Sequence, residues 1–122
     1  MASKKILIVD DDTSFLELLQ DYFKSMGYDV RTAGDAESGM DIFKRHRPRV
    51  VLLDFNMPLI TGEKFLPVLQ GVDPMIKAIV ISGCIEEEVE EKFRGLGYFA
   101  FFEKGKLSLE ILKEKVDEAL NY

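Results

Sequence analysis

Five short apolar runs, each separated from the next by a stretch with helical spacing, constrain the fold of this chain most strongly. The runs are rich in β-branched and aromatic residues, which is typical of buried strands. Alternation of this kind predicts βαβ units and hence an α/β fold, a doubly wound five-stranded parallel sheet with helices on both faces. The predicted strands are Lys5–Val9, Asp29–Thr32, Val50–Leu53, Ala78–Ile81 and Tyr98–Phe102.

The four intervening stretches and the stretch after the last run predict five helices. The first should begin near a capping-box signature formed by Ser14 and Glu17, with Asp12 or the adjacent Thr13-Ser14 as its cap, and end at Gly27. Asp35 should cap the second. A third short helix should cover Glu63–Gln70. The predicted inward-facing residues of the other helices are Phe15, Leu19, Tyr22 and Met26 in the first, Ala36, Met40 and Phe43 in the second, Val89 and Phe93 in the fourth, and Leu109, Leu112, Val116 and Leu120 in the fifth.

Size and charge restrict the class of protein. A chain of 122 residues is expected to form a single domain over residues 1–122. Its net charge of −6 argues against direct nucleic acid binding, which needs clustered Lys and Arg. The lone Cys84 cannot form an internal disulfide, and the four apolar residues after Lys5 are too few to span a membrane. We therefore expect a cytoplasmic protein with no membrane partner.

Acidic residues follow two of the predicted strands directly. Asp10, Asp11 and Asp12 come after the first strand, and Asp54 ends the apolar run of the third. Parallel strands bring their carboxyl ends to one edge of the sheet, where ligands bind in such folds. Clustered carboxylates repel one another unless they share protons or a cation, and oxygen ligands suit a hard ion such as Mg²⁺. The sequence therefore predicts a magnesium site at this edge.

Four motifs occur in the order and at the spacing of one protein family: Ile8-Val9-Asp10-Asp11, then Leu52-Leu53-Asp54-Phe55-Asn56-Met57-Pro58 with Gly62, then Val80-Ile81-Ser82-Gly83, and finally Lys104. On these motifs, the whole chain resembles the receiver domains of bacterial two-component response regulators. The resemblance implies a flavodoxin-like sheet in strand order 2-1-3-4-5. It also implies a phosphorelay signalling switch that only assists its own phosphorylation and dephosphorylation.

The resemblance implies a role for each residue at the edge of the sheet. Asp54 would be the phosphoacceptor, taking its phosphoryl group from a sensor histidine kinase or a histidine phosphotransfer protein. Mg²⁺ would be bound by Asp11, Asp54 and the backbone carbonyl of Asn56, and Asp10 would orient the waters bound to the ion. The remaining implied roles are phosphoryl binding by Ser82, Gly83 and Lys104, and switching by Ser82 and Phe101.

Phosphorylation would then act through the face formed by the fourth helix, fifth strand and fifth helix. This face would bind a downstream protein target or an output domain outside the chain, and it is also a candidate dimer interface.

The sequence leaves three alternative functions open: a receiver-like scaffold that no longer accepts phosphate, an FMN carrier, or a phosphatase of the haloacid dehalogenase type. Repulsion of phosphate by Asp10, Asp11 and Asp12 opposes the FMN carrier, and Asn56 stands where that phosphatase needs a second aspartate.

Other residues depart from the family or have simpler interpretations. Gly105 follows Lys104 where the family usually has a proline joined by a cis bond. Because a cis bond before a non-proline residue costs about 2–3 kcal/mol more than before proline, we expect a trans bond and a more mobile loop there. His46 is interpreted as part of a basic helix end. The glutamate-rich segment 86–91 is a solvated helix face or, less favoured, a docking surface.

Overall fold

A parallel sheet forms the centre of the protein. The computed structural model describes residues 4–57, 59–84 and 86–122, so Pro58 of the third-strand motif lies outside the described residues. The strands in this part of the chain pair in the order β2-β1-β3-β4-β5, and every pair is parallel. The predicted fold class and strand order are therefore confirmed. The strands are β1 (Lys5–Val9), β2 (Asp29–Ala33), β3 (Val50–Asp54), β4 (Lys77–Ser82) and β5 (Ala100–Glu103).

Helices cover both faces of the sheet. In β1, Leu7 and Val9 point into a core beneath α2, α3 and α4, whereas Ile6 and Ile8 point into a second core beneath α1 and α5. Burial on both faces explains why β1, β3 and β4 are nearly continuously apolar, whereas the edge strand β2 alternates. No described helix is long and apolar enough to cross a bilayer. The helices are α1 (Thr13–Ser25), α2 (Ala36–His46), α3 (Gly62–Val72), α4 (Glu86–Lys92) and α5 (Leu109–Leu120).

Of the predicted caps of α1, the structure shows Asp12. Asp12, not Ser14, is the N-cap residue, and its Oδ1 accepts a hydrogen bond of 3.2 Å from the backbone N–H of Phe15. The capping box was wrong because an aspartate two residues earlier already satisfies the free N–H groups of the first turn. The inward face was also partly wrong: Met26 lies beyond the helix and is 45% exposed, whereas Phe23 is fully buried.

Other element boundaries follow local chemistry. Asp35 caps α2 as predicted, and its Oδ1 accepts from the N–H of Ser38 at 2.8 Å. His46 ends this helix, but it is buried and its Nε2 lies 3.3 Å from the carbonyl oxygen of Asp29. His46 therefore lies in the basic helix end that the sequence indicated, and its burial was not predicted. Strand β5 begins at Ala100 rather than Tyr98.

Candidate functional site

Two buried aspartates meet at the carboxyl edge of the sheet. Val9 of β1 lies beside Leu53 of β3, so the residues that follow them, Asp10 and Asp54, are neighbours. Asp10 is 2% exposed and Asp54 is 4% exposed, whereas Asp11 is exposed. One oxygen from each of these three carboxylates lies within 4.8 Å of the others. The structure therefore brings together the three carboxylates that the sequence placed at separate strand ends.

Burial makes the charge on Asp54 unfavourable. Loss of solvent raises the pKa of this carboxyl to about 7, and the neighbouring charge of Asp10 acts in the same direction. The ammonium group of Lys104 and a weak 3.4 Å hydrogen bond from the N–H of Asn56 oppose this effect. A cation beside Asp54 would favour its ionised form.

Lys104 pairs with Asp10 rather than with Asp54. Its Nζ lies 2.9 Å and 3.1 Å from the two carboxylate oxygens of Asp10, and the side chain is 23% exposed. Burial favours the neutral amine, but the hydrogen bond to Asp10 and the charges of Asp10 and Asp54 outweigh it and raise the pKa of Lys104. The site therefore holds one positive charge that is already engaged by a carboxylate.

Residues after β4 form the opposite rim of the site. Ser82 is fully buried, and its hydroxyl oxygen accepts a 3.0 Å hydrogen bond from the N–H of Cys84. The Nδ2 of Asn56 lies 3.6 Å from the Sγ of Cys84, so these two side chains meet across the site. Gly83 is exposed, and a Cβ atom at this position would meet no heavy atom within 4 Å. This rim is therefore open at Gly83.

Gly62 closes the loop between β3 and α3 tightly against the site. Its N–H donates a 2.9 Å hydrogen bond to the carbonyl oxygen of Phe55. A Cβ atom at residue 62 would lie 2.7 Å from the backbone oxygen of Asp54 and 3.2 Å from the Cα of Phe55. Only glycine allows this close approach, and the approach fixes the backbone that carries Asp54.

The fifth strand leads directly to Lys104. Phe101 is half-buried beside Val80 and packs against the core beneath α2, α3 and α4. The Lys104–Gly105 bond is trans, as predicted. Residues Lys104–Lys106 form one turn of 3₁₀ helix.

Phe15 was not predicted to belong to the site, yet its ring centroid lies 4.6 Å from the Nζ of Lys104. Its helical spacing indicated only a core residue.

Comparison with known proteins gives a consistent result. A family model described as the response regulator receiver domain matches residues 6–117. Sporulation initiation phosphotransferase F of Bacillus subtilis is 32% identical over 104 residues, covering 85% of this chain and 84% of that protein. Transcriptional regulatory protein PrrA of Mycobacterium tuberculosis is 29% identical over 96 residues, which are 79% of this chain but only 40% of PrrA. The chain thus spans less than half of some relatives.

Solved structures agree with the sequence relatives. A CheY-like response regulator receiver domain protein from Methanospirillum hungatei has a TM-score of 0.90 and 28% identity, with 98% of this chain and 94% of that chain covered. The receiver domain of NtrX from Brucella abortus has a TM-score of 0.87 and 27% identity, with 95% of this chain and 98% of that chain covered. The chain belongs to the response regulator receiver domain family, the phosphoacceptor switches of two-component signalling.

Proposed function

We propose that Asp54 is the phosphoacceptor of this receiver domain and that residues 1–122 form that single domain. The observation that carries the proposal is the cluster of three carboxylates, with Asp54 buried at the end of β3 and one oxygen of each within 4.8 Å of the others. An apolar environment and two neighbouring carboxylates are unfavourable for a structural aspartate. Such a cluster is expected where a cation and a phosphoryl group bind.

The residues present suit Mg²⁺. Their donors are carboxylate oxygens, the ligands that this hard ion prefers. Asp11 and Asp54 would bind the ion directly together with the backbone carbonyl of Asn56, while Asp10 would orient its waters. Asp11 is exposed, so its carboxylate can rotate towards the ion. Bound Mg²⁺ would neutralise the charge that otherwise keeps a phosphoryl donor away from a carboxylate.

The proposed reaction is one in-line displacement. An oxygen of Asp54 forms a bond to phosphorus while the bond from phosphorus to the donor breaks, and the bonding pair leaves with the donor. For a phosphohistidine donor the leaving group is the imidazole, and for acetyl phosphate it is acetate. Because the pKa of Asp54 is about 7 in the resting site, the cation also increases the fraction of reactive carboxylate. The domain would assist its own phosphorylation and dephosphorylation without turning over other substrates.

Side chains on two rims would hold the transferred group. Lys104 would leave Asp10 and pair with a phosphoryl oxygen, as a flexible point charge can. The hydroxyl of Ser82 would turn from the N–H of Cys84 and donate to another oxygen. Gly83 would leave room for the acyl phosphate. These movements require only side-chain rotation and short backbone shifts.

Output would pass through the face formed by α4, β5 and α5. Ser82 ends β4 and pairs in register with Glu103, so a shift of Ser82 acts directly on the end of β5. Phe101 lies on this strand and would change its rotamer in response. The proposed partners are a sensor histidine kinase or histidine phosphotransfer protein upstream and a protein target or output domain downstream. Dimerisation through the same face on phosphorylation is part of the proposal.

Phosphorylation by acetyl phosphate in Mg²⁺ tests the assignment directly. Intact-mass spectrometry should show one phosphoryl adduct on the wild type, suppressed by EDTA and absent from Asp54→Asn. Asp12→Asn is the matched control, because it removes a neighbouring carboxylate and asparagine still caps α1. An adduct that persists in Asp54→Asn would refute the role of Asp54.

A further inference from the structure

The ammonium group of Lys104 lies between a carboxylate and an aromatic ring. Both oxygens of Asp10 are within hydrogen-bond distance of its Nζ, and the centroid of the Phe15 ring is 4.6 Å from the same atom. This separation is within the range of an attractive cation–π contact. Phe15 lies in α1, where it is half-buried and also packs against the core beneath α1 and α5.

Two hydrogen bonds fix the position of Phe15 relative to Asp10. The backbone N–H of Asp12 donates to Oδ1 of Asp10 at 2.8 Å, and the N–H of Phe15 donates to Oδ1 of Asp12 at 3.2 Å. These hydrogen bonds therefore connect the buried Asp10 carboxylate, through the cap residue Asp12, to the backbone that carries the Phe15 ring. The ring is half-buried, which limits its own freedom to move.

The chain beyond Lys104 provides much less support. Gly105 has no side chain, and a Cβ atom there would meet no heavy atom within 4 Å. In the described part of the chain, Lys104 forms an ion pair with Asp10 alone. The contacts that the structure describes for its ammonium group are thus those with the Asp10 carboxylate and the Phe15 ring.

We propose that Phe15 is a positioning residue whose ring holds the ammonium group of Lys104 on Asp10 in the unphosphorylated state. This inference rests on the proposed function, because it concerns the lysine that must reach the phosphoryl group. Lys104 leaves the ring when it pairs with a phosphoryl oxygen on Asp54, so the ring stabilises the resting state selectively. A ligand that recruits Lys104 must overcome this contact.

Nuclear magnetic resonance of the wild type tests the contact without any variant. Protons on the ε-methylene of Lys104 should resonate upfield in the metal-free protein, because this carbon is bonded to the Nζ that lies 4.6 Å from the ring centroid. Saturating Mg²⁺ and beryllofluoride, a phosphoryl mimic, should remove that upfield shift. An ordinary chemical shift in the metal-free protein would overturn the proposal, as would an upfield shift that survives beryllofluoride binding.

Three variants then test the effect on affinity. Phe15→Leu keeps an apolar side chain but removes the ring face, and should tighten beryllofluoride binding at saturating Mg²⁺ about two- to fivefold. Phe15→Tyr should restore the wild-type affinity and the upfield shift. Tyr22→Leu removes another half-buried ring from α1 and should leave the affinity unchanged.

The outcomes separate this proposal from the phosphoacceptor assignment. If the wild type does not bind beryllofluoride, the proposed function fails, and the upfield shift in the metal-free protein still decides whether the ring holds Lys104. If the wild type binds but Phe15→Leu has unchanged or weaker affinity, the positioning role is refuted. Equal tightening in Tyr22→Leu would likewise refute it, because a general loss of helix packing would explain the result.

Discussion

Replacing Asp54 with asparagine should stabilise the metal-free protein. Asp54 is 4% exposed and its pKa is raised from 3.8 to about 7, mainly by burial and then by Asp10. At 1.36 kcal/mol per pKa unit, ionising this group at pH 8 lowers the free energy of unfolding by roughly 4 kcal/mol. Asparagine removes the charge but adds an amide group that lacks a partner, which costs about 1–3 kcal/mol. We therefore expect a net gain of roughly 1–3 kcal/mol.

The gain should depend on pH with a definite sign. Below about pH 4 the carboxyl of Asp54 is protonated in both the folded and the unfolded chain, so it contributes nothing. As the pH rises from 4 to 7, the unfolded chain releases this proton while the folded chain keeps it, and the wild type loses stability. The advantage of Asp54→Asn should grow across that window and become constant above pH 7.

Thermal melting in EDTA at pH 4 to 8 measures the difference. A gain of this size should raise the Tm by roughly 4–12 °C at pH 8. Asp21→Asn, the same change at an exposed position on α1, should show no comparable gain. Mg²⁺ at 100 times its Kd should add about 2.7 kcal/mol to the wild type and shrink the gap. A wild type at least as stable as Asp54→Asn in EDTA at pH 8 would refute the argument, and so would a gap independent of pH.

Three further changes have clear expected outcomes. Gly62→Ala should lower the Tm strongly, because its Cβ would lie 2.7 Å from the backbone oxygen of Asp54; an unchanged Tm would contradict the close approach. Tyr28→Phe removes a hydrogen bond to Asp117 and should lower the free energy of unfolding by about 1–2 kcal/mol in urea titrations, whereas no loss would mean that the bond contributes nothing. Beryllofluoride should shift amide resonances across residues 86–102, including Phe101; shifts confined to residues near Asp54 would mean an uncoupled switch.

The sheet was predictable because its signal is local and repeated. The strands β1, β3 and β4 are short apolar runs bounded by a polar or turn residue, and parallel strands buried on both faces need no finer pattern. The ends of elements were less predictable. Asp12, Thr13 and Ser14 can all cap a helix, and the choice depends on which of them reaches a free N–H group in the folded chain. Asp12 does so at Phe15, and that contact is not visible in residue spacing.

The position of the acidic cluster was predictable for a topological reason, whereas its internal pairing was not. Any parallel arrangement of β1 and β3 places Asp10 beside Asp54. The partner of Lys104 depends instead on where a long side chain ends. It lies on Asp10 in the resting structure, over the ring of Phe15, and sequence spacing contains no information about either contact. The burial of His46 at the end of α2 has the same origin, since it follows from tertiary packing.

The resting position of Lys104 gives the site a direct connection to β5. Lys104 is the first residue after this strand, and Glu103 at the strand end pairs in register with Ser82. A phosphoryl group on Asp54 would attract both the ammonium group and the Ser82 hydroxyl, so two neighbouring strand ends would respond to one new charge. Phe101 lies further back on β5, in register with Val80. Both movements would act on the same end of β5. The ion pair between Lys104 and Asp10 opposes the switch until phosphoryl oxygens compete for Lys104.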